Sequence, residues 1–447
     1  NPELHDKVEF EITPTCMDLN FDKYLEELNS LNLTKLQISN FKISMQNLTN
    51  NILTEKVINL NEELSALKVL EHKLEPWGTL HPHTIPELSA KITHLTTICE
   101  EMGVLPFAKL ARCAFISISM LKSLVELKII TDAELSEIYK NIPTIATDLT
   151  VHMGLYQSGK LTLQQFLKQY GHLRPSSYDI TSPNYANGHE QYFKTGSVPQ
   201  LEQKSNSAEE CSAILSSHSK KIDERLLESG LTINTDTLIK FIIKSIQGRE
   251  QAKFEFMKIV DNILESTTKL GHLLDLDRDQ MSFLNIEELE RLSSESASPA
   301  IKSELLRITE HNEKKWNLTC HTKLPHLITP KTDIGYFEYS KTAPNFISNS
   351  RIISNSLYLE NNQVESQLSG KIILISSADP GYDWIFGHGI TGLITEYGGA
   401  ASHMSIRAAE FGIPAAIGCG KLLFDKLKNQ SVIELDCLNK VLRGISC

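Results

Sequence analysis

No two cysteines in this chain stand in CxxC spacing. The eight (Cys16, Cys99, Cys113, Cys211, Cys320, Cys419, Cys437 and Cys447) are scattered. That excludes a zinc-ribbon pattern, and no other metal-ligating set is read from the sequence. In a chain of this size it also indicates reduced thiols in a cytoplasm. A basic stripe is missing as well. With 44 Lys+Arg against 55 Asp+Glu, the net charge is -11, and phosphate neutralisation along a nucleic acid needs clustered cations. A nucleic-acid partner is therefore not expected. Long apolar runs are lacking. "CAFISISML", 113–121, lies between Arg112 and Lys122 and falls short of the ~20 residues that a spanning helix needs. It reads as a buried helix, with no membrane partner. The opening "NPELHDKVEF" is polar and charged, unlike a secretory signal. No fixed-period repeat and no Gly-rich Walker loop occur.

The chain does have the length for two or more domains: 447 residues, 41% hydrophobic. Residues 1–320 read as mostly α-helical, with Leu, Ile and Phe at three- and four-residue steps. Thr131 and Asn285 are expected helix N-caps. Two irregular stretches interrupt the helices: "EPWGTLHPHTIPEL", 75–88, and "YGHLRPSSYDITSPNYANGHEQYF", 170–193. Such segments are where binding groups gather. The stretch 320–350 carries three prolines and little helical period, and is expected to lead into a second domain. From there strands are expected at 371–377, 390–396, 414–418, 431–436 and 440–444, with one helix at about 402–411. The expected fold is thus a helical domain, 1–320, followed by a small α/β domain, 321–447.

Within the second domain "GGAASHMSIRAAEFGIPAAIG", 398–418, has a distinct order: strand, Gly398-Gly399, Ser402-His403, helix, Gly412, Pro414, strand. Ser402 is a natural N-cap, His403 the first helical residue, and Gly412 the left-handed stop. The glycines let backbone N–H groups turn inward beside a helix N-terminus, a favourable place for an anion. An imidazole placed there is a nucleophile that titrates near neutrality. The competing interpretation is a histidine that merely opens a helix.

The same stretch resembles the phosphohistidine signature of the phosphoenolpyruvate-utilising enzymes, whose usual form is GGxxSHxAIxARExGIPAxxG. The matching positions are Gly398, Gly399, Ser402, His403, Ile406, Glu410, Gly412, Ile413, Pro414, Ala415 and Gly418. In phosphoenolpyruvate synthase, pyruvate phosphate dikinase and rifampicin phosphotransferase this histidine sits on a swivelling domain and carries phosphate between two sites. The resemblance implies His403 as the carrier, with Gly398, Gly399 and Ser402 around the phosphate. Ala409 stands where the family usually has Arg, and Arg407 is expected either to take over phosphate pairing or to serve the structure. Ala401 stands where plant-type dikinases have a regulatory Thr. Residues 370–399 also resemble the swivel domain; Asp379, Asp383 and His388 there are either functional or turn and packing residues.

"FLKQYGHLRPSSYDITSPNY", 166–185, resembles a YGHRG-type element of the acceptor-binding domain of rifampicin phosphotransferase, at Tyr170, Gly171, His172, Pro175 and Asp179. Leu173-Arg174 replaces the family's Arg-Gly. The resemblance implies His172 as the base that takes the acceptor's proton. Arg174, Tyr178 and Asp179 are the expected substrate contacts. It further implies ATP and Mg²⁺, bound mainly by an ATP-grasp domain on the same polypeptide or on a separate chain, and a small-molecule acceptor. No ATP-grasp-like stretch is found, and a chain opening on Asn1 is expected to have lost a preceding domain. The donor, ATP or phosphoenolpyruvate, and the acceptor (pyruvate, an antibiotic hydroxyl or another metabolite) stay open. So does an alternative: a phosphocarrier or regulatory module whose helical part binds a protein.

Overall fold

The computed structural model describes residues 14–445, except 32, 81, 194–207, 293–298, 323, 326–327, 329–334, 336–342, 360–367 and 400–401. Among the described residues every α-helix but two precedes residue 322, and every strand follows residue 344.

The helical layer is organised by one 39-residue helix, Thr235–Leu273. It packs against the Leu60–Thr79, Ile85–Ile98 and Leu105–Glu126 helices. Leu110, Cys113, Ile116, Met120, Leu121 and Leu124 of the last are fully buried against Leu238 and Ile242. Each such side chain contributes about 1.5–3 kcal/mol. The run Ile85–Glu126 is long and apolar enough to cross a membrane by composition, but half of its most apolar window is buried inside the protein. Its middle, Cys99–Val104, is a π-turn. Pro106 just beyond it has no N–H to give the helical ladder, so the backbone widens there. The caps follow the sequence: Thr131 and Asn285 close reciprocal capping boxes with Glu134 and Glu288. The proline-rich 75–88 stretch is a helix junction. Pro76 lies in the last turn of one helix, and Pro86 in the first turn of the next.

The C-terminal part is a seven-stranded sheet of β1 (Asn345–Ile347), β2 (Arg351–Tyr358), β3 (Ile372–Ser377), β4 (Gly392–Tyr397), β5 (Ala415–Ile417), β6 (Val432–Asp436) and β7 (Val441–Gly444). The spatial order is β1-β5-β4-β3-β2-β6-β7. The central strands β2, β3, β4 and β5 run parallel, and β1, β6 and β7 are antiparallel to their neighbours. Parallel strands need both faces covered, and both are. Ile372, Leu374, Ile394 and Ala416 pack on the Lys421–Leu427 helix. Ile373, Ile375, Leu393 and Ala415 face the 3₁₀ turn Pro380–His388 and the helix His403–Glu410. This second face continues into the helical layer. One core contains Trp384, Phe386, Met404 and Ala408 together with Tyr170, Tyr185, Tyr192 and Phe254.

Gly412 and Gly418 share a left-handed backbone, φ +64° and +70°. A Cβ on Gly412 would meet nothing, whereas one on Gly418 would lie 2.2 Å from the Gly398 carbonyl oxygen. Gly412→Ala is expected to cost about 1 kcal/mol of backbone strain. Gly418→Ala should cost clearly more, because a backbone atom cannot step aside. Chemical denaturation of the two variants checks the order.

Candidate phosphohistidine site

The local order read from the sequence is present. β4 ends at Tyr397. Gly398 takes φ +131°, where an added Cβ would sit 2.5 Å from Ala378 Cβ. The Gly399 carbonyl accepts the Ser402 N–H at 3.0 Å and the Ser405 hydroxyl at 3.1 Å. The Ser402 oxygen caps the helix by accepting the Ser405 N–H at 3.4 Å. His403 is the first helical residue, and Gly412 ends the helix run in the left-handed region. The His403 side chain and residues 400–401 lie outside the described part. What is shown is the backbone cradle: a helix N-terminus at the carboxyl end of a parallel strand, the usual ligand side of such sheets. Ser402 and Ser405 are both buried.

Arg407 is turned inward onto a carboxylate of its own domain. It is 3% exposed, its Nε donates to Asp383 Oδ1 at 2.9 Å, and its guanidinium carbon lies 4.6 Å from the Phe411 ring centroid. Phe411 in turn stacks on Phe386 at 5.1 Å and 9°. The guanidinium therefore clamps the 403–410 helix to the 380–388 turn. This geometry gives Arg407 a structural role.

Arg174 is likewise not offered to a ligand. It is 1% exposed and bonds Asp261, Glu265 (3.1 Å) and the Ser182 carbonyl (3.1 Å). Burial raises the Asp261 carboxyl pKa, and the Arg174 charge opposes that rise. Arg278 adds a second tie, donating to the Ile180 carbonyl at 2.8 Å. The loop expected to bind acceptor is thus pinned onto the 235–273 helix through two arginines. Asp179 serves its own turn, accepting from the Thr181 N–H (2.9 Å) and hydroxyl (2.7 Å). Tyr178 stands 62% exposed. Of the residues expected to contact substrate, neither Arg174 nor Asp179 turns its charge outward to a common point. Arg112 and Arg249, on apolar helices, also have structural roles: the Thr15 carbonyl for Arg112 (3.2 Å) and the Phe115 ring for Arg249 (5.1 Å).

His172 is different. Its ring meets the edge of Phe254 at 4.7 Å, and its Nε2 is buried with no hydrogen-bond partner. Burial first, and the Lys258 charge next, lower its pKa to about 3, against a raising hydrogen bond to the Phe254 backbone. The ring is neutral at ordinary pH, with one nitrogen held out of water and unused. Nearby, His152 Nδ1 pairs with the buried Tyr170 hydroxyl at 2.8 Å.

Sequence reasoning underrated the 3₁₀ turn. Asp379 caps it through the Gly381 N–H (2.9 Å) and accepts the Ser177 hydroxyl. Asp383 holds Arg407, and His388 Nδ1 bonds the Trp384 carbonyl at 2.9 Å. The turn lies against the Ile145–Gln157 helix, and the 403–410 helix against Asp132–Lys140. An aspartate beside a proline and glycine signalled a capped turn, but nothing in its spacing named Ser177 or Arg407 as partner.

Residues 368–440 match the family model described as PEP-utilising enzyme, mobile domain. The C-terminal sheet part therefore carries a mobile domain of the PEP-utilising enzymes. No curated protein matches the chain.

Two outcomes are expected. Arg407→Met leaves Asp383 buried without its cation and should cost about 3–5 kcal/mol, read by denaturant unfolding; adding Asp383→Leu should return part of that loss. For His172, the unfolded chain takes a proton near pH 6.5 and the folded one only near pH 3. The unfolded state binds more protons between those values, so stability falls as pH drops through that window. His172→Phe should make the pH–stability curve flatter than wild type between pH 6.5 and 3.

Proposed function

We propose that the mobile domain carries a phosphoryl group on His403, from a nucleotide site to an acceptor held by the helical part. The observation that supports this most directly is the backbone cradle. A Gly-Gly turn and a Ser402-capped helix put His403 at the one helical position where the dipole and free N–H groups favour a phosphate. Phosphotransfer is what a PEP-utilising enzyme mobile domain indicates; the donor, the acceptor and the residues assigned below belong to this proposal.

An imidazole nitrogen of His403 attacks phosphorus in line, the P–N bond forms, and the P–O bond to the leaving group breaks. In the second half, the acceptor oxygen attacks the phosphoimidazole, and the electron pair of the P–N bond returns to the ring. The hydroxyl proton needs a base, and His172 is the group assigned to take it, a role that requires acceptor binding to open its buried Nε2 and so restore its basicity. Its partner nitrogen is held by the Phe254 backbone, which leaves Nε2 as the lone-pair position. Among the described residues no group of three or more His, Cys, Asp or Glu could hold a metal ion. On the resemblance, Mg²⁺ and ATP are assigned to a nucleotide-binding domain of the same or a separate polypeptide, where the ion would neutralise phosphate charge. The acceptor is assigned as a small molecule: pyruvate, an antibiotic hydroxyl or another metabolite. A reducing, cytoplasmic setting belongs to the same reading.

The test is phosphorylation of full-length protein with ATP labelled separately at the β and γ positions, and with labelled phosphoenolpyruvate. Acid-labile label is expected on wild type and not on His403→Ala; label that persists in that variant would sink the carrier role. His172→Gln should load at the wild-type rate, while label transfer to acceptor slows by about 10²–10⁴-fold. Equal discharge rates would remove His172 from the chemistry.

A further inference from the structure

The contact between mobile domain and helical layer has two parts: the 403–410 helix lies against Asp132–Lys140, and the 3₁₀ turn Pro380–His388 against the Ile145–Gln157 helix and loop 174–185. We propose that the 3₁₀ turn Pro380–His388 is the docking key of the mobile domain, that loop 174–185 is its seat, and that seating governs discharge of His403 but not its loading. This rests on the carrier reading above.

Gly381 is the point of closest approach. A Cβ there would lie 1.5 Å from the Arg174 carbonyl oxygen and 2.5 Å from the Pro175 nitrogen. Its φ is not in the left-handed region, so its own backbone makes no demand for glycine. The demand comes from the seat. Two hydrogen bonds surround the contact: the Ser177 hydroxyl lies 2.8 Å from both Asp379 carboxylate oxygens, and the Tyr185 hydroxyl donates to the Gly381 carbonyl at 2.9 Å. Trp384, 1% exposed, packs 5.6 Å from the Tyr192 ring. The seat is stiff, because Arg174 is fixed by Asp261 and Glu265, and the Tyr192 hydroxyl donates to the Pro183 carbonyl at 2.8 Å.

The key is also tied to the reacting end. Asp383 within it holds Arg407, four residues beyond His403 on the same helix. Where the turn seats therefore sets where the 403–410 helix points. Gly381, Asp379 and Ser177 act through this chain of contacts; they are positioning residues and do not touch the reacting atoms.

The experiment uses hydrogen exchange on the full, unlabelled protein, followed by the two half-reactions. Gly381→Ala should speed amide exchange in 171–193 and 380–388 by about ten-fold or more, with β6 amides unchanged. Its loading with acid-labile label from ATP should stay within about two-fold of wild type. Label already on the protein should be lost to added pyruvate, the probe acceptor, or failing that to water, roughly ten- to hundred-fold more slowly. Should Gly381→Ala also loosen β6, Ser177→Ala decides: it alters only the seat. Faster exchange confined to the two docked segments supports the proposal. Unchanged exchange, or loosening of the whole mobile domain by Ser177→Ala, overturns it. The carrier reading fails separately, if wild type takes no label while the two segments still open together in the variant.

Discussion

The ion pair between Asp383 and Arg407 is the constraint on which the site depends. Both side chains are nearly free of water, at 2% and 3% exposure. Taking two ions out of water costs several kcal/mol each, which only good geometry offsets. Here the geometry is supplied by stacking: Arg407 lies over Phe411, which is parallel to Phe386. Arg407 belongs to the helix that starts at His403, and Asp383 and Phe386 to the turn between β3 and β4. Two excursions from one sheet are thus locked to each other before either meets the helical layer. That converts a loop and a short helix, each marginal alone, into a single stiff surface.

A second arginine repeats the logic on the other side. Arg174 binds Asp261 and Glu265, one helical turn apart on the 235–273 helix. Read as letters, Arg407 sits in a phosphohistidine-like signature and Arg174 in an acceptor-loop-like one, so that an anion-binding role and a structural one both stood open. Their carboxylate partners lie 24 and 87 residues away, and no local pattern reports such pairs. Charge identity was legible in the sequence; charge commitment was not.

Other features were legible because their causes are local. The β3 and β4 strands are built on short apolar runs, Ile372–Ile375 and Leu393–Ile394, and the chemistry of capping fixes Thr131, Asn285 and Ser402. The left-handed stop at Gly412 and the proline beyond it ended the 403–410 helix where expected. Strands β1 and β2 were not foreseen. β2 is polar and alternates exposed with half-buried residues, and becomes a strand because β3 and β6 pair with it on either side. The 3₁₀ turn read as a plain connection, since a seat distant in sequence fixes its shape. His172 was recognisable as a motif residue, but its neutrality arises first from burial and then from the charge of Lys258, on a helix some eighty residues later.

The glycines at 398 and 418 invite a last thought. They open and close the signature stretch, twenty residues apart, yet they are neighbours in space: the carbonyl of one occupies the room a side chain on the other would need. The motif is therefore less a string of independent choices than a closed loop with a clasp. Its fixed length is the contour of one strand–helix–strand crossover, measured from one half of the clasp to the other. An insertion or deletion anywhere along it would part the two halves, and with them the floor on which His403 stands.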